Sequence, residues 1–290
     1  MKFGKVDNPE EIDFTLSEDH PDTQKLFASL DKVETPKIFI GCPKWNKKDL
    51  RNFYPKGTKN ELEYYSTQFN SIELNATFYQ RYPIEQYQKW RSITEDGFIF
   101  FPKLTQQISH YRQLKNVNEL VDEYLIAVSG LKEKLGTIFL QLNNRYSPKH
   151  LNKLIDFVDH WPSDVKLAIE VRHEDWFKEE AVYNEYCDLL ASKNISNILV
   201  DTPGRRDMLH MRMTGHQPFV RFVGALHGLD YQRLDDWVNR IEKWVDEGMK
   251  DMAFFIHQNA DHESPLLGVY LTEKLNERLG LNMRVPETIK

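Results

Sequence analysis

The chain has 290 residues, of which 40% are hydrophobic and 28% charged, so it carries enough apolar material for a sizeable core and is not a disordered chain. Its 44 acidic and 38 basic residues leave a net charge of −6, and without a Lys/Arg-rich run this disfavours a protein that grips long nucleic acid through backbone charge. Cys42 and Cys187 lie far apart and outside any CxxC spacing, which disfavours a disulfide framework and a structural zinc site.

Residues 1–7 lack the apolar core of a signal peptide, and no later run approaches the ~18 apolar residues of a membrane helix. The expected location is therefore the cytoplasm, with no membrane partner. Residues 1–35 are acidic and turn-rich, punctuated by Pro9 and Pro21, with one short helix predicted over 23–30; they are expected to form an extension packed on a main domain of residues 36–290. Strands are predicted over 37–42, 71–78, 98–103, 137–142, 166–172, 198–201, 218–223 and 252–257. Helices are predicted over 61–68, 84–91, 117–135, 149–159, 179–192, 234–247 and 265–279. Strands joined by helical crossovers pair in parallel, and eight such units can close into a single-domain (β/α)8 barrel of the α/β class, removing every sheet edge. A doubly wound open sheet is the alternative, but the first turn, Gly41-Cys42-Pro43-Lys44-Trp45, is not GxGxxG.

Side-chain parity then places the chemistry. In Ser71-Ile72-Glu73-Leu74-Asn75-Ala76-Thr77 the even positions are apolar and face the helices, leaving Glu73, Asn75 and Thr77 for the interior. The same alternation sends Glu170 and Arg172 inward, and His173 away. Other strands end in one polar residue each, namely Lys103, Gln141, Asp201, Arg221, and His257 followed by Gln258. Active sites of such barrels lie at the carboxyl-terminal strand ends. Each of these residues also has a structural reading as half of a buried ion pair.

At these positions the sequence resembles the YecE-like family, bacterial barrel proteins built on a domain of unknown function. The resemblance rests on Ile40-Gly41 with Trp45, Phe53-Tyr54-Pro55, the block from Ile72-Glu73 through Asn75 and Thr77 to Phe78-Tyr79, Phe139-Leu140-Gln141-Leu142, Glu170-Val171-Arg172-His173 with Trp176-Phe177, Asp201-Thr202-Pro203, and Val220-Arg221-Phe222. It implies a (β/α)8 fold, similar in outline to endonuclease IV and the xylose-isomerase-like sugar enzymes, and little about chemistry. Departures from the family pattern fall at Cys42-Pro43, Asn143-Asn144, Val223 and His257-Gln258.

A divalent metal is possible but disfavoured, because Glu73, Glu170 and Asp201 are matched by Lys103, Arg172 and Arg221; no cofactor is predicted. A small anionic or sugar-like ligand suits the balance better, with Arg221 a candidate for holding a phosphate or carboxylate on both prongs unless it pairs with Glu170 or Asp201. Glu73, Glu170 and Asp201 are the catalytic candidates. Glu73 and Glu170 divide acid and base roles if burial raises one pKa and Arg172 lowers the other. Substrate contacts are expected from Trp45, Asn75, Tyr79, Lys103, Gln141, Arg172, His173, Trp176, Arg221, His257 and Gln258, with aromatic rings stacking on a sugar or base. The leading expectation is a hydrolase or isomerase acting on a phosphorylated or sugar-containing small molecule. The alternatives are a repair-type enzyme that meets nucleic acid only as a local lesion or single nucleotide, and a non-catalytic anion-binding barrel.

Overall fold

Runs of β-branched and aromatic residues form eight strands in the computed structural model, which describes residues 4–288. They are β1 Lys37–Gly41, β2 Ser71–Leu74, β3 Ile99–Pro102, β4 Ile138–Gln141, β5 Leu167–Glu170, β6 Ser196–Asp201, β7 Phe219–Val223 and β8 Asp251–His257. The α-helices are α1 Pro21–Ala28, α2 Glu61–Gln68, α3 Ala76–Tyr79, α4 Ile84–Ile93, α5 Asn118–Val128, α6 Leu151–His160, α7 Asp175–Lys178, α8 Glu180–Ser192, α9 Leu229–Glu247 and α10 Ser264–Leu279. Every strand pairing is parallel. Six strands form one curled sheet in the order β1-β8-β7-β6-β5-β4, and β2 with β3 forms a second ladder. The expected parallel α/β architecture is present, but as two ladders rather than one continuous eight-stranded sheet.

Single backbone bonds connect the ladders. Glu73 donates its N–H to the Cys42 carbonyl at 3.2 Å, Gly136 to Phe100 at 2.8 Å, and Leu104 to Phe139 at 2.8 Å. Gly41 lets β1 approach β2 closely, since a Cβ there would lie 2.2 Å from the Ser71 carbonyl oxygen.

Two predicted elements end early for visible reasons. The strand expected over 71–78 stops at Leu74: Asn75 turns into the helical region at φ −76°, and the Thr77 hydroxyl donates to the carbonyls of Leu74 (2.9 Å) and Lys103 (2.7 Å). The Leu74 carbonyl also takes the last ladder bond, from the Lys103 N–H at 3.1 Å, and the Thr77 hydroxyl occupies the Lys103 carbonyl that a longer ladder would have used. The helix expected over 117–135 gives way after Val128 to a 3-10 turn, Ser129–Lys134, with Lys132 at φ +48°. Gly130 sits there because a Cβ would come within 2.7 Å of the Ile84 carbonyl oxygen of α4.

Alternation divides the core into two shells. Ile38, Ile40, Ile72, Leu140, Ile169, Leu199, Val220, Phe222 and Phe254 pack outward under the helices. Phe101, Phe139, Ala168, Ile198, Val200, Phe219, Ala253 and Phe255 fill the axis. The axial rings meet edge to face or tilted, Phe101 on Phe255 at 5.0 Å and Phe139 on Phe219 at 5.4 Å, arrangements that suit the ring quadrupoles. The leading segment packs along β6, β7 and α9. Asp19 is fully enclosed, accepting from Arg240 (2.6 Å), Lys243 (2.8 Å) and the Trp244 indole (3.1 Å). Nearer the start, the Asn259 amide donates to the Gly4 carbonyl at 3.0 Å.

Candidate functional site

Above the aromatic layer lies a polar one. Side chains of one face recur every second residue, so two positions beyond Phe101, Phe139, Ala168, Phe219 and Phe255 come Lys103, Gln141, Glu170, Arg221 and His257. Glu73, on β2, joins them. All but His257 are almost wholly enclosed.

They form one continuous chain. Arg221 donates through Nε to Glu73 Oε2 (2.9 Å) and through Nη2 to Glu73 Oε1 (3.0 Å), while its Nη1 donates to Glu170 Oε2 (2.5 Å). Arg172 Nε bonds the other Glu170 oxygen. The Gln141 amide donates to both Glu170 oxygens at 3.0 Å and accepts from Lys103 Nζ at 2.8 Å. At the far end His257 Nε2 meets Glu73 Oε2 at 2.9 Å, and Asn75 donates to Glu73 Oε1 at 2.8 Å. Lys103 Nζ lies 4.4 Å above the Phe78 ring, a cation–π position.

The electrostatics follow from this chain. Burial pushes both carboxyls up, but neighbouring charge outweighs it. Arg221 and His257 hold Glu73 well below the usual carboxylate range, and Arg172 with Arg221 brings Glu170 to about 2. Lys103 moves the other way, because burial and then Arg221 lower its pKa to about 7, with Glu73 and Glu170 opposing them. Burial, then Lys103 and Arg172, lower nearby His110 to about 4. Arg172 and Arg221 balance Glu73 and Glu170, so protonation of Lys103 sets whether this five-residue group is neutral or cationic.

Of the residues expected here, Glu73, Asn75, Lys103, Gln141, Glu170, Arg172, Arg221 and His257 come together. Arg221 spends its fork on Glu73 and Glu170, the ion-pair role left open by the sequence. Thr77 serves the backbone instead.

Asp201 is not in the cluster. On β6 it is Ile198 and Val200 that face the axis, so Asp201 turns outward. It is fully buried against Arg206, Arg233 (2.9 Å) and the Trp237 indole (2.8 Å). Burial raises its pKa, and the two guanidiniums more than reverse that. Trp176 is likewise enclosed, donating to the Tyr146 carbonyl at 2.8 Å and packing on Tyr186. Trp45 is partly buried with its ring against Trp90. His173 accepts from the Asp175 backbone at 3.2 Å. Gln258 donates to Asp230 at 3.0 Å, beneath Gly224. Tyr79 stands 72% exposed at the rim, joined to Phe78 and through it to His110.

Sequence reasoning missed the second buried network, Asp201-Arg233-Asp230. Arg233 lies within α9, where an arginine reads as a solvated position. Its one signal was a charged residue on the apolar stripe shared with Leu234, Trp237 and Val238.

Comparison with known proteins bears on the fold and lineage. The family described as "Protein of unknown function DUF72" matches residues 39–289. The chain is 27% identical over 265 residues to UPF0759 protein YecE of Escherichia coli K12, covering 83% of this chain and 93% of that one. It is 23% identical over 269 residues to UPF0759 protein YunF of Bacillus subtilis, covering 82% and 94%. A crystal structure of a DUF72 family protein from Enterococcus faecalis V583 superposes with TM-score 0.64 at 16% identity, over 86% of this chain and all of that one. With the family match spanning nearly the whole chain after the leading segment, the protein belongs to the DUF72 family, the YecE-like proteins of unassigned function.

Proposed function

We propose that this protein is an enzyme that acts on a small phosphorylated or sugar-containing anion at the carboxyl-terminal strand ends, in a hydrolase- or isomerase-type reaction that moves a proton through Lys103. The observation that carries the reading is the end of the polar chain. Lys103 is enclosed at 7% exposure and hydrogen-bonded to Gln141, and its pKa of about 7 lets it give or take a proton at neutral pH. Among the described residues the carboxylates of this group are matched by guanidiniums, so a ligand anion would be met by the Lys103 ammonium. Arg172, with its side chain 20% exposed, offers the first contact.

Glu73 and Glu170 take a different role from the acid and base pair that sequence alone favours. A general acid needs a raised pKa, whereas both are held ionised; in this reading they orient Arg221 and Arg172. Their oxygens are already engaged. Arg221, Asn75 and His257 occupy Glu73, while Arg172, Arg221 and Gln141 occupy Glu170. A divalent ion would have to displace a guanidinium, so none is assigned, and no cofactor is invoked. The reading treats both ladders as one (β/α)8 barrel over residues 36–290 with 1–35 as an extension, supported by the three connecting backbone bonds and by Gly41 on Ser71. It also treats the protein as cytoplasmic.

The test is turnover of a panel of sugar phosphates, followed by mass spectrometry, with Lys103→Met as control. Turnover by the wild type that the variant loses supports the reading. A ligand that binds and is released unchanged makes this a binding barrel instead. Binding only to damaged duplex, weakening steeply with salt, points to a nucleic-acid substrate.

A further inference from the structure

We infer that Lys103 is a carbonyl-capturing nucleophile, forming an imine with an aldehyde or ketone whose phosphate or other anionic group is held at Arg172. The inference rests on the anion-site reading above and names its substrate class. Its geometry is that of an amine kept from water and from competing acceptors. Among the described residues the Nζ has one hydrogen-bond partner, Gln141 at 2.8 Å, and its other side faces the Phe78 ring at 4.4 Å. The Lys103 backbone is fixed by a bridge to Phe139 and by the hydroxyls of Thr77 (2.7 Å) and Tyr124 (3.1 Å) on its carbonyl. Desolvation beside cations is the arrangement that activates a lysine for Schiff-base chemistry. The charged groups facing it are Glu73 from β2, Glu170 from the end of β5 with Arg172 just beyond it, and Arg221 from β7.

The step balances without oxidant or reductant. The neutral amine's lone pair attacks the carbonyl carbon, forming C–N as the C=O π bond opens, and a proton passes from nitrogen to oxygen. The carbinolamine hydroxyl takes up one further proton and leaves as water, giving a protonated imine. At pH 7 a lysine of ordinary pKa near 10.4 is neutral in roughly 1 molecule in 10³ to 10⁴, whereas a pKa of about 7 leaves Lys103 about half neutral.

The experiment incubates the full chain with glyceraldehyde 3-phosphate and sodium cyanoborohydride at pH 7, maps the reduced adducts by peptide mass spectrometry, and measures inorganic phosphate binding by calorimetry in parallel. The expected result is labelling of Lys103 at least about tenfold faster than of the exposed lysines, slowed by inorganic phosphate. In Lys103→Arg, which keeps a cation and should keep the fold by circular dichroism, that adduct is lost and phosphate still binds. Phosphate binding with Lys103 no faster than the exposed lysines overturns the imine and leaves the anion site standing. Rapid labelling without phosphate binding or protection overturns the anion site. With neither labelling nor binding, both readings fall.

Discussion

Arg221→Met tests the claim that one guanidinium holds two buried carboxylates. The substitution keeps much of the side-chain volume and removes three charge-assisted bonds, at 2.9 and 3.0 Å to Glu73 and 2.5 Å to Glu170. Glu73 is left with His257 and Asn75 and Glu170 with Arg172 and Gln141, so two enclosed carboxylates face one guanidinium. Lys103, freed of the Arg221 charge that adds to burial in lowering its pKa, is the remaining cation of the group. Breaking a buried pair in this way costs about 3–5 kcal/mol. With an unfolding entropy of about 2.1 cal/mol/K per residue, a chain of 290 residues should lose roughly 5–8 °C in Tm at pH 7. The pH dependence has a definite sign. In the wild type both carboxyls sit below the ordinary 4.5, Glu170 at about 2, so their stabilisation is present above pH 4.5 and lost as pH falls through the folded values. In the variant burial is opposed by less positive charge, a carboxyl takes up its proton sooner, and the deficit narrows as pH falls from 7 toward 4.5. Thermal melts followed by circular dichroism at both pH values check this. A variant melting within about 1 °C of wild type at pH 7, or a deficit that does not change with pH, refutes the reasoning.

Three further substitutions separate the parts of the fold. Lys103 has a folded pKa of about 7 against 10.5 for the free side chain, so the unfolded chain binds more protons between those values and wild-type stability rises with pH there; Lys103→Met should melt higher than wild type at pH 7, with the advantage shrinking by pH 10 in the same melts. Asp201→Asn should lose about 3 kcal/mol in urea unfolding, from its buried pairs with Arg206 and Arg233, while calorimetry shows phosphate binding changed by less than about twofold because Asp201 bonds Arg206, Arg233 and Trp237 rather than the members of the polar layer. Gly41→Ala forces a methyl to 2.2 Å from the Ser71 carbonyl oxygen, backbone that cannot yield cheaply, and should cost about 3 kcal/mol or more; unfolding indistinguishable from wild type would contradict the close β1–β2 approach.

How much of this was legible depended on whether a strand carried a two-faced pattern. In β2 and β5, apolar and polar residues alternate, and parity alone sent Glu73, Glu170 and Arg172 to the axis where they lie. β6 ends Ile198-Leu199-Val200-Asp201, three apolar residues in a row, because the strand is buried on both faces; nothing local tells inside from outside, and Asp201 turned toward α9. Gln258 stands one residue past His257, so alternation sends it away from the axis, to Asp230. Trp176 and Trp45 were expected to line the site, but a large ring is as readily claimed by the layer between strands and helices. The early end of β2 was invisible because Asn75 and Thr77 fit a wet strand face as well as they fit a turn.

The polar layer calls for a physical reason, since apolar side chains of similar volume would fill the axis at lower cost in desolvation. It rests on an aromatic floor, Phe101, Phe139, Phe219 and Phe255, that keeps water out from below and so strengthens each interaction above it. Within it every carboxylate oxygen and the Gln141 amide have partners. A network satisfied that completely holds its members still, and the members it holds at one end are Lys103, reached through Gln141, and Arg172. Those two differ from the rest: the Arg172 side chain is 20% exposed, and Lys103 bonds Gln141 rather than a carboxylate. Positioning a fixed guanidinium and a desolvated amine above a dry floor is preorganisation. On the function proposed above, that preorganisation is what the buried charges of this layer serve.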